Sequence, residues 1–279
     1  MRGSTDDPFC DTAPRFPRVI GHRGAALAAP ENTLAGFRRA SALGCHWVEF
    51  DVRLTADDEL ILLHDDRLER TTDGRGRARA LPLSIIRQCD AGSWFDPSHV
   101  GERVPTLTEA VEVLAALALG ANVEIKAERG CAVETAVAAV DLLTRMWPPH
   151  LPLLISSFIA EAVAAARDRA PLLPRGFLVR TVTRNWHRRA EALDCIAVNA
   201  DHRLLRPATV AEIRKSGYSV LAYTVNDTAR AHELFDWGVT SVFSDVPHEI
   251  LAALSPDFPP CAAETPVGIR PGDAIGGRS

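Results

Sequence analysis

Short apolar runs alternate along the chain with segments whose apolar residues recur at helical spacing. Such runs are typical of buried parallel strands, and the segments between them are typical of helices that cover a sheet. We predict eight strands, near 18–22, 46–51, 122–126, 153–156, 175–179, 195–199, 219–224 and 241–244. This alternation in a chain of 279 residues predicts an α/β fold, the (β/α)8 TIM barrel.

Several of the predicted helices have recognisable ends. The helix after the first strand ends at Gly44, and a later helix begins with Thr106 and Glu109, which have the spacing of a capping box. Another begins at Pro207 and ends just before Gly217, as expected because proline is tolerated in a first helical turn and glycine commonly follows a last one. These boundaries support the alternation of strands and helices.

The second strand is followed by a β-hairpin, because the chain turns back at once and leaves no room for a helix. Pairing outward from a turn at 56–59 places Arg53 opposite Leu62 and Asp51 opposite His64. The hairpin is therefore expected to bring His64 to the level of Asp51.

The pattern predicts one barrel domain over residues 18–255, with a small insertion at about 65–105 over the barrel mouth. The last segment, 256–279, is rich in proline and glycine, and we expect it to be a disordered tail. Residues 1–17 contain three aspartates and no apolar run, so we interpret them as a disordered extension and not as a signal peptide.

Composition and charge narrow the classes of partner. The formal net charge is −5 and no basic block occurs, so a nucleic-acid partner is not expected. No run approaches the roughly 18 apolar residues that a membrane span needs, so stable membrane insertion is not expected. The six cysteines form no zinc motif, which favours a reducing, cytoplasmic location. The oligomeric state stays open.

Carboxylates recur at strand spacing near the expected barrel mouth. Glu49 and Asp51 are two residues apart on one strand, so their side chains point to the same face, and Glu124 and Lys126 repeat this spacing on the next barrel strand. Converging carboxylates repel one another, and a hard divalent cation with oxygen ligands, Mg²⁺ or Ca²⁺, would balance them. The alternative is an ion-pair network in which the positive charges come from Arg23, Arg53 and Lys126.

Two histidines are expected at the same mouth. His22 ends the first strand and His64 is returned by the hairpin, and histidine is the side chain best suited to proton transfer at neutral pH. Arg23 follows His22 and can present two parallel donors to phosphate oxygens, while Gly24 allows a sharp turn beside a ligand. The combination favours chemistry on a phosphate group.

Eleven short motifs occur in a fixed order and carry most of these residues. They are IGHRG at 20–24, PENT at 30–33, EFDV at 49–52, HD at 64–65 with RTT at 70–72, DAGSWF at 90–95, VPTL at 104–107, NVEIK at 122–126, SSF at 156–158, TVN at 224–226 and SDVP at 244–247. Together they resemble the glycerophosphodiester phosphodiesterase family over about residues 19–254.

The resemblance implies a barrel enzyme that cleaves glycerophosphodiesters to sn-glycerol 3-phosphate and an alcohol. It implies one divalent cation, Mg²⁺ or Ca²⁺, bound by Glu49, Asp51 and Glu124. It also implies that His22 and His64 are the general acid and base.

The resemblance further implies a set of substrate contacts. Arg23 and Lys126 would hold the phosphate, and Trp94 and Phe95 on the insertion would contact the glycerol moiety. Tyr223 occupies the position before TVN where the family usually has tryptophan, so an aromatic wall is kept but the fit around the substrate differs.

The residues leave the attacking group and the exact substrate open. Attack by the glycerol 2-hydroxyl would give a cyclic phosphate that water then opens, and attack by a metal-bound water is the alternative. A sister enzyme acting on lysophospholipids or phosphoinositol lipids would need an apolar rim, whereas 98–103 is polar. A barrel aldolase would not need two histidines beside an arginine, and a non-catalytic descendant would be expected to have lost one of these residues.

Overall fold

The computed structural model describes residues 16–128 and 130–255. The sequence predicts disorder for residues 1–17 and 256–279, and of these only Phe16 and Pro17 lie within the described residues. Phe16 packs on Trp47 with ring centroids 5.5 Å apart, and the carbonyl oxygen of Pro17 accepts a hydrogen bond from Ser241 Oγ. The contacts of the barrel therefore begin just before its first strand.

Parallel strands form a closed barrel in the described part of the chain, as the sequence predicted. The strands are β1 (Val19–Gly21), β2 (Trp47–Leu54), β3 (Leu60–Leu62), β4 (Gly120–Ile125), β5 (Leu153–Ser157), β6 (Arg175–Val179), β7 (Ala197–Asp201), β8 (Ser219–Tyr223) and β9 (Ser241–Ser244). The order around the sheet is β1-β9-β8-β7-β6-β5-β4-β2, and pairing between β1 and β2 closes it. Strand β3 pairs with β2 in the antiparallel sense. The remaining eight strands form the (β/α)8 barrel.

Helices follow the barrel strands and, with one exception, cover the outside of the sheet. They are α1 (Leu34–Ala42), α2 (Leu83–Ile86), α3 (Leu107–Ala116), α4 (Ala132–Met146), α5 (Ala160–Arg169), α6 (Trp186–Ala192), α7 (Pro207–Lys215), α8 (Thr228–Asp236) and α9 (Pro247–Leu254). The exception is α2, which belongs to the segment after the hairpin. Thr106 and Glu109 form the predicted capping box at the start of α3, and Pro207 occupies the first turn of α7. These caps satisfy or avoid backbone N–H groups that a first turn leaves without partners.

Strand β2 shows how alternation sorts side chains between two cores. Phe50 points outward and packs on Phe37 of α1, with ring centroids 5.3 Å apart. Trp47 points inward and packs with Ile20 in the lower part of the barrel. Glu49 and Asp51 share the phase of Trp47 and follow it along the strand, so they lie inside the barrel towards its C-terminal end. In this fold that end carries the functional site.

The β-hairpin forms, but its register differs from the predicted one. Leu54 pairs with Leu60 and Arg53 with Ile61, one residue away from the predicted pairing of Arg53 with Leu62. The backbone of Asp51 accepts from Leu63 N at 3.1 Å, so His64 lies one residue beyond Asp51 and not opposite it.

The turn explains the shift in register. Thr55 N donates to Glu59 O at 2.9 Å, and Asp58 has a φ of 61°. This left-handed residue lets three residues reverse the chain where four were expected. The hairpin prediction was therefore right in kind and wrong by one position.

The segment between the hairpin and α3 contains α2 and two short 3₁₀ turns, Ala78–Ala80 and Pro97–His99. Its apolar side chains form a small cluster of their own, which includes Leu68, Ile86 and Val104. Among the described helices none is long and apolar enough to cross a membrane.

Candidate active site

Three buried carboxylates meet at the C-terminal end of the barrel. Glu49 and Asp51 come from β2 and Glu124 comes from β4, and the register of the two strands places Asp51 beside Glu124. One oxygen from each residue lies within 4.8 Å of the other two. The predicted convergence of these acids is therefore present, and the group could hold a metal ion.

The charges around the acids do not fully balance them. Lys126 Nζ lies 2.6 Å from Glu124 Oε1 and 3.4 Å from Asp51 Oδ1, and Arg23 Nε lies 3.4 Å from Asp51 Oδ2. Two cations thus face three carboxylates. Arg23 and Lys126 therefore form the ion pairs that the sequence offered as the alternative to a metal. Arg53 does not, because it donates to the backbone carbonyl groups of residues 63 and 64.

The pKa values of the three carboxyls reflect this excess of negative charge. Burial, and then the charge of Asp51, raises the pKa of Glu49 well above its ordinary value. The same two causes raise the pKa of Glu124 to about 7. Burial also acts to raise the pKa of Asp51, but the positive charges of Lys126 and Arg23 outweigh it and lower that pKa. The raised pKa values of Glu49 and Glu124 fit a site that a bound cation would complete.

Buried carboxylate oxygens that accept no hydrogen bond also support a cation site at the three acids. Glu49 Oε1 and Asp51 Oδ1 are buried and accept no hydrogen bond from residues 16–128 or 130–255. The other oxygens are held in place, since Glu49 Oε2 accepts from Arg23 N at 3.0 Å and Asp51 Oδ2 accepts from Asn32 Nδ2 at 2.8 Å. One oxygen of each residue is thus oriented by hydrogen bonds and the other accepts none, although Lys126 Nζ lies 3.4 Å from Asp51 Oδ1.

His22 is oriented by a carboxylate from the opposite end of the sequence. Its Nδ1 lies 2.6 Å from Asp245 Oδ1, and its Nε2 lies 3.8 Å from Glu49 Oε2. Asn226 Nδ2 donates to the other oxygen of Asp245 at 2.7 Å. These contacts direct the Nε2 atom of His22 towards the acid group.

His64 is held in a similar way. Its Nδ1 lies 2.6 Å from Asp65 Oδ1, and Arg70 Nε donates to Asp65 Oδ2 at 2.7 Å. The bonds from Arg70 and His64 lower the pKa of Asp65 to about 2. Burial lowers the pKa of His64, so the neutral imidazole is favoured near neutral pH.

Glu31 joins the two halves of the site. It accepts from Arg23 Nη1 at 2.8 Å and from both Nη1 and Nη2 of Arg70, each at 2.8 Å. Arg23 has a φ of 50° and is followed by Gly24 at 94°, where an added Cβ would lie 2.8 Å from the backbone of Gly36. The tight turn therefore brings Arg23 back over the acids and requires glycine beside it.

Most of the predicted site residues line one pocket of about 420 Å³. Those that line it are His22, Arg23, Glu49, His64, Glu124, Lys126 and Tyr223. Trp94 and Phe95 line a second hollow, which shares only His22 and Arg23 with the first. The structure therefore brings the charged residues together and places the two aromatic residues of the insertion on the far side of His22.

Some residues of the site have no role that the sequence predicts. Asn199, Asn226 and Asp245 lie at or just past the predicted barrel strands, so the sequence indicates that they could line the pocket, but residue type alone gives them no role. Glu31 belongs to PENT, and its place in that motif was the only signal for it. His202, for which the sequence gives no catalytic signal, also lines the pocket. Its position follows from the end of β7 at Asp201, two residues later than predicted.

Comparisons with known proteins agree with the fold. Residues 22–249 match the glycerophosphoryl diester phosphodiesterase family. A putative glycerophosphodiester phosphodiesterase of Bacillus subtilis is 33% identical over 240 residues, which is 84% of this chain and 96% of that protein. A phosphodiesterase of Oleispira antarctica, solved in complex with the product sn-glycerol-3-phosphate, is 42% identical with a TM-score of 0.84, over 85% of this chain and 96% of that chain.

A glycerophosphodiester phosphodiesterase structure from Agrobacterium tumefaciens is 28% identical with a TM-score of 0.69, over 85% of this chain and all of that chain. The match to the family profile runs from the residue after β1 into α9, and it includes every motif except the first two residues of IGHRG. The chain therefore belongs to the glycerophosphoryl diester phosphodiesterase family of hydrolases.

Proposed function

We propose that this phosphodiesterase hydrolyses glycerophosphodiesters to sn-glycerol 3-phosphate and an alcohol, with one divalent cation, Mg²⁺ or Ca²⁺. The observation that carries the proposal is the meeting of three buried carboxylates with two histidines, each histidine bonded at Nδ1 to an aspartate. Such an arrangement combines charge stabilisation with proton transfer, which are the two requirements of phosphodiester cleavage.

The cation would be held by Glu49, Asp51 and Glu124. Two observations support this assignment: one buried oxygen each of Glu49 and Asp51 accepts no hydrogen bond from the described residues, and the pKa of Glu124 is raised. When bound, the cation supplies positive charge that polarises the phosphate group. The identity of the ion is tested by its effect on activity, since the same set of oxygen ligands suits both ions.

Arg23 and Lys126 would bind the non-bridging oxygens of the phosphate. Both line the pocket beside the acids, and both are held by carboxylates at distances of 2.6–3.4 Å. Because these contacts fix the two cations before substrate arrives, little reorganisation is needed when negative charge grows on the phosphate.

His22 and His64 would carry the protons. Each has its Nδ1 bonded to an aspartate, which leaves Nε2 to act on the substrate. One imidazole takes the proton of the attacking hydroxyl and the other gives a proton to the departing alkoxide. The attacking group is either the glycerol 2-hydroxyl or water, and a substrate that lacks the 2-hydroxyl distinguishes them, because unchanged turnover would eliminate the cyclic route.

A lysophospholipid is the second candidate substrate. The second hollow carries exposed apolar side chains, since Leu27 is 63% and Trp94 39% exposed. An acyl chain could lie against them, as such patches are a feature of lipid-binding surfaces. The polar segment 98–103 predicts a preference for substrates without an acyl chain, and a direct comparison of glycerophosphodiesters with a lysophospholipid tests it.

The test measures release of the head-group alcohol from glycerophosphocholine, glycerophosphoethanolamine and lysophosphatidylcholine, with chelator and with added Mg²⁺ or Ca²⁺. The phosphate product is identified as well, and it is sn-glycerol 3-phosphate from the first two and its acyl ester from the third. We expect turnover of the first two, loss of turnover with chelator, and recovery with one of the ions. Glu49→Gln serves as the control for the metal site and should not recover. Turnover that is unchanged by chelator would refute the proposed metal dependence.

A further inference from the structure

Two asparagine side chains on the floor of the pocket have polar atoms without partners. Asn199, on β7, is 1% exposed, and neither its Oδ1 nor its Nδ2 forms a hydrogen bond with the described residues. Asn122, on β4, donates from Nδ2 to Ser156 Oγ at 3.0 Å, but its buried Oδ1 accepts nothing from the same part of the chain. Both residues line the 420 Å³ pocket. Buried amides of this kind are rare in folded proteins unless a ligand or water satisfies them.

A glycine on the neighbouring strand leaves space for the amide of Asn199. Gly176 lies beside it on β6, and a Cβ at that position would be only 3.0 Å from Asn199 Oδ1. Asn122 precedes Glu124 by two residues, shares its inward direction and pairs in register with Glu49. The floor therefore adjoins the site proposed for the phosphate and the cation.

Part of the pocket wall is apolar. Leu178 and Phe243 line the same pocket, and the Tyr223 hydroxyl donates to Val179 O at 2.9 Å, so it is occupied away from the floor. Two of the charged residues of the pocket, Glu49 and Glu124, lie within β2 and β4, and the others follow strand ends. A neutral polyol at the floor would gain hydrogen bonds from the two amides.

We propose that Asn199 and Asn122 bind the hydroxyl groups of the glycerol arm of the substrate. The inference rests on the proposed function and assigns a direction to the substrate in the site. The glycerol arm enters the barrel, the phosphate lies at the level of the acids, and the leaving alcohol lies towards Trp94 and Phe95. This reverses the contact between glycerol and those two aromatic residues that the family resemblance implies.

The direction also bears on lipid substrates. Each glycerol hydroxyl is both a donor and an acceptor, which matches the donor and acceptor atoms of a carboxamide. An acyl group on the terminal hydroxyl would remove its donor and add a chain too long for the floor. We therefore expect lysophosphatidylcholine to be a poor substrate.

The experiment combines a variant with a change in the substrate. Wild type and Asn199→Leu are assayed on glycerophosphocholine and on its analogue with a propane-1,2-diol arm, which keeps the 2-hydroxyl and lacks the terminal one. Wild type should prefer glycerophosphocholine on the order of 10–100-fold in kcat/KM, because the analogue leaves a buried amide unpaired. In Asn199→Leu, and likewise in Asn199→Ala and Asn122→Ala, this preference should fall below about threefold.

Binding and stability supply independent readouts. Calorimetry of sn-glycerol 3-phosphate against propane-1,2-diol 1-phosphate should show the same loss of preference, even in a protein that turns over neither diester. The melting temperature of Asn199→Leu should equal or exceed that of wild type, because no protein hydrogen bond is lost. The control is Thr135→Val in α4, whose buried hydroxyl donates to Cys131 O at 2.8 Å, and it should keep the wild-type preference.

Two outcomes would overturn the inference. One is a variant that keeps the wild-type preference for the glycerol arm in both kinetics and binding, as expected if only water satisfies the amide. The other is a variant whose choice between choline and ethanolamine head groups changes instead. Failure of the proposed function looks different, since wild type would then release no sn-glycerol 3-phosphate while the binding comparison would still report on the floor.

Discussion

Replacement of Asp245 by asparagine tests whether the orientation and tautomer of His22 depend on a single carboxylate. Asp245 Oδ1 lies 2.6 Å from His22 Nδ1, and Oδ2 accepts from Asn226 Nδ2 at 2.7 Å. Asn226 cannot reverse its amide, because its Oδ1 already accepts from Asp245 N at 2.8 Å and from Ser244 Oγ at 3.1 Å. The new amide in Asp245→Asn must therefore turn its oxygen to Asn226 and its NH₂ group to His22.

This geometry sets the size of the effect. An NH₂ group facing Nδ1 makes that atom an acceptor and places the imidazole proton on Nε2, the atom directed to the acid group. The imidazole can then no longer accept a proton at Nε2. Because general acid–base catalysis contributes about 10²–10⁴-fold, we expect kcat to fall by a factor in that range while KM changes by less than about threefold.

The assay is steady-state hydrolysis of glycerophosphocholine with saturating divalent cation, together with a melting curve. Asp141→Asn is the matched control, because it removes a carboxylate that pairs with Arg169 on the outer helices at 2.6 Å. Its activity should equal that of wild type. If Asp245→Asn folds normally and keeps kcat within about fivefold of wild type, the role assigned to this carboxylate is wrong.

Three further outcomes are expected. His22→Ala and His64→Ala should each lose about 10²–10⁴-fold in kcat/KM, and a loss below tenfold in both would contradict their role in proton transfer. In metal-free protein, folding raises the pKa of Glu124 from 4.5 to about 7, so the folded state favours the neutral carboxyl. The contribution of this group to the free energy of unfolding is therefore complete below pH 4.5 and is lost as the pH rises towards 7. The loss is roughly 3 kcal/mol, it should be absent in Glu124→Gln, and urea titrations with chelator across this pH range measure it. Added Mg²⁺ or Ca²⁺ should raise the melting temperature of wild type more at pH 8 than at pH 5, and an equal rise at both would argue against binding by these carboxylates.

Local patterns were enough to predict the barrel and its acid group. Glu49 and Asp51 share a face because of strand periodicity, and that relation needs no knowledge of distant residues. The hairpin shows the limit of such reasoning, since one left-handed residue, Asp58, shortens the turn and shifts the register by one. Residue type alone did not indicate this, because the choice between turns of three and four residues depends on how the strands beyond them pair.

The amino-acid sequence by itself determined the alternation of strands and helices, the inward carboxylates and the placing of a histidine after the first strand. Only the closed barrel decided which groups complete them. Asp245 reaches His22 across 223 residues of chain because β9 pairs with β1, and Asn199 becomes a floor residue because Gly176 lies beside it. Sequence periodicity reports the direction of a side chain, whereas its partner depends on closure of the sheet, which brings distant segments within hydrogen-bonding distance.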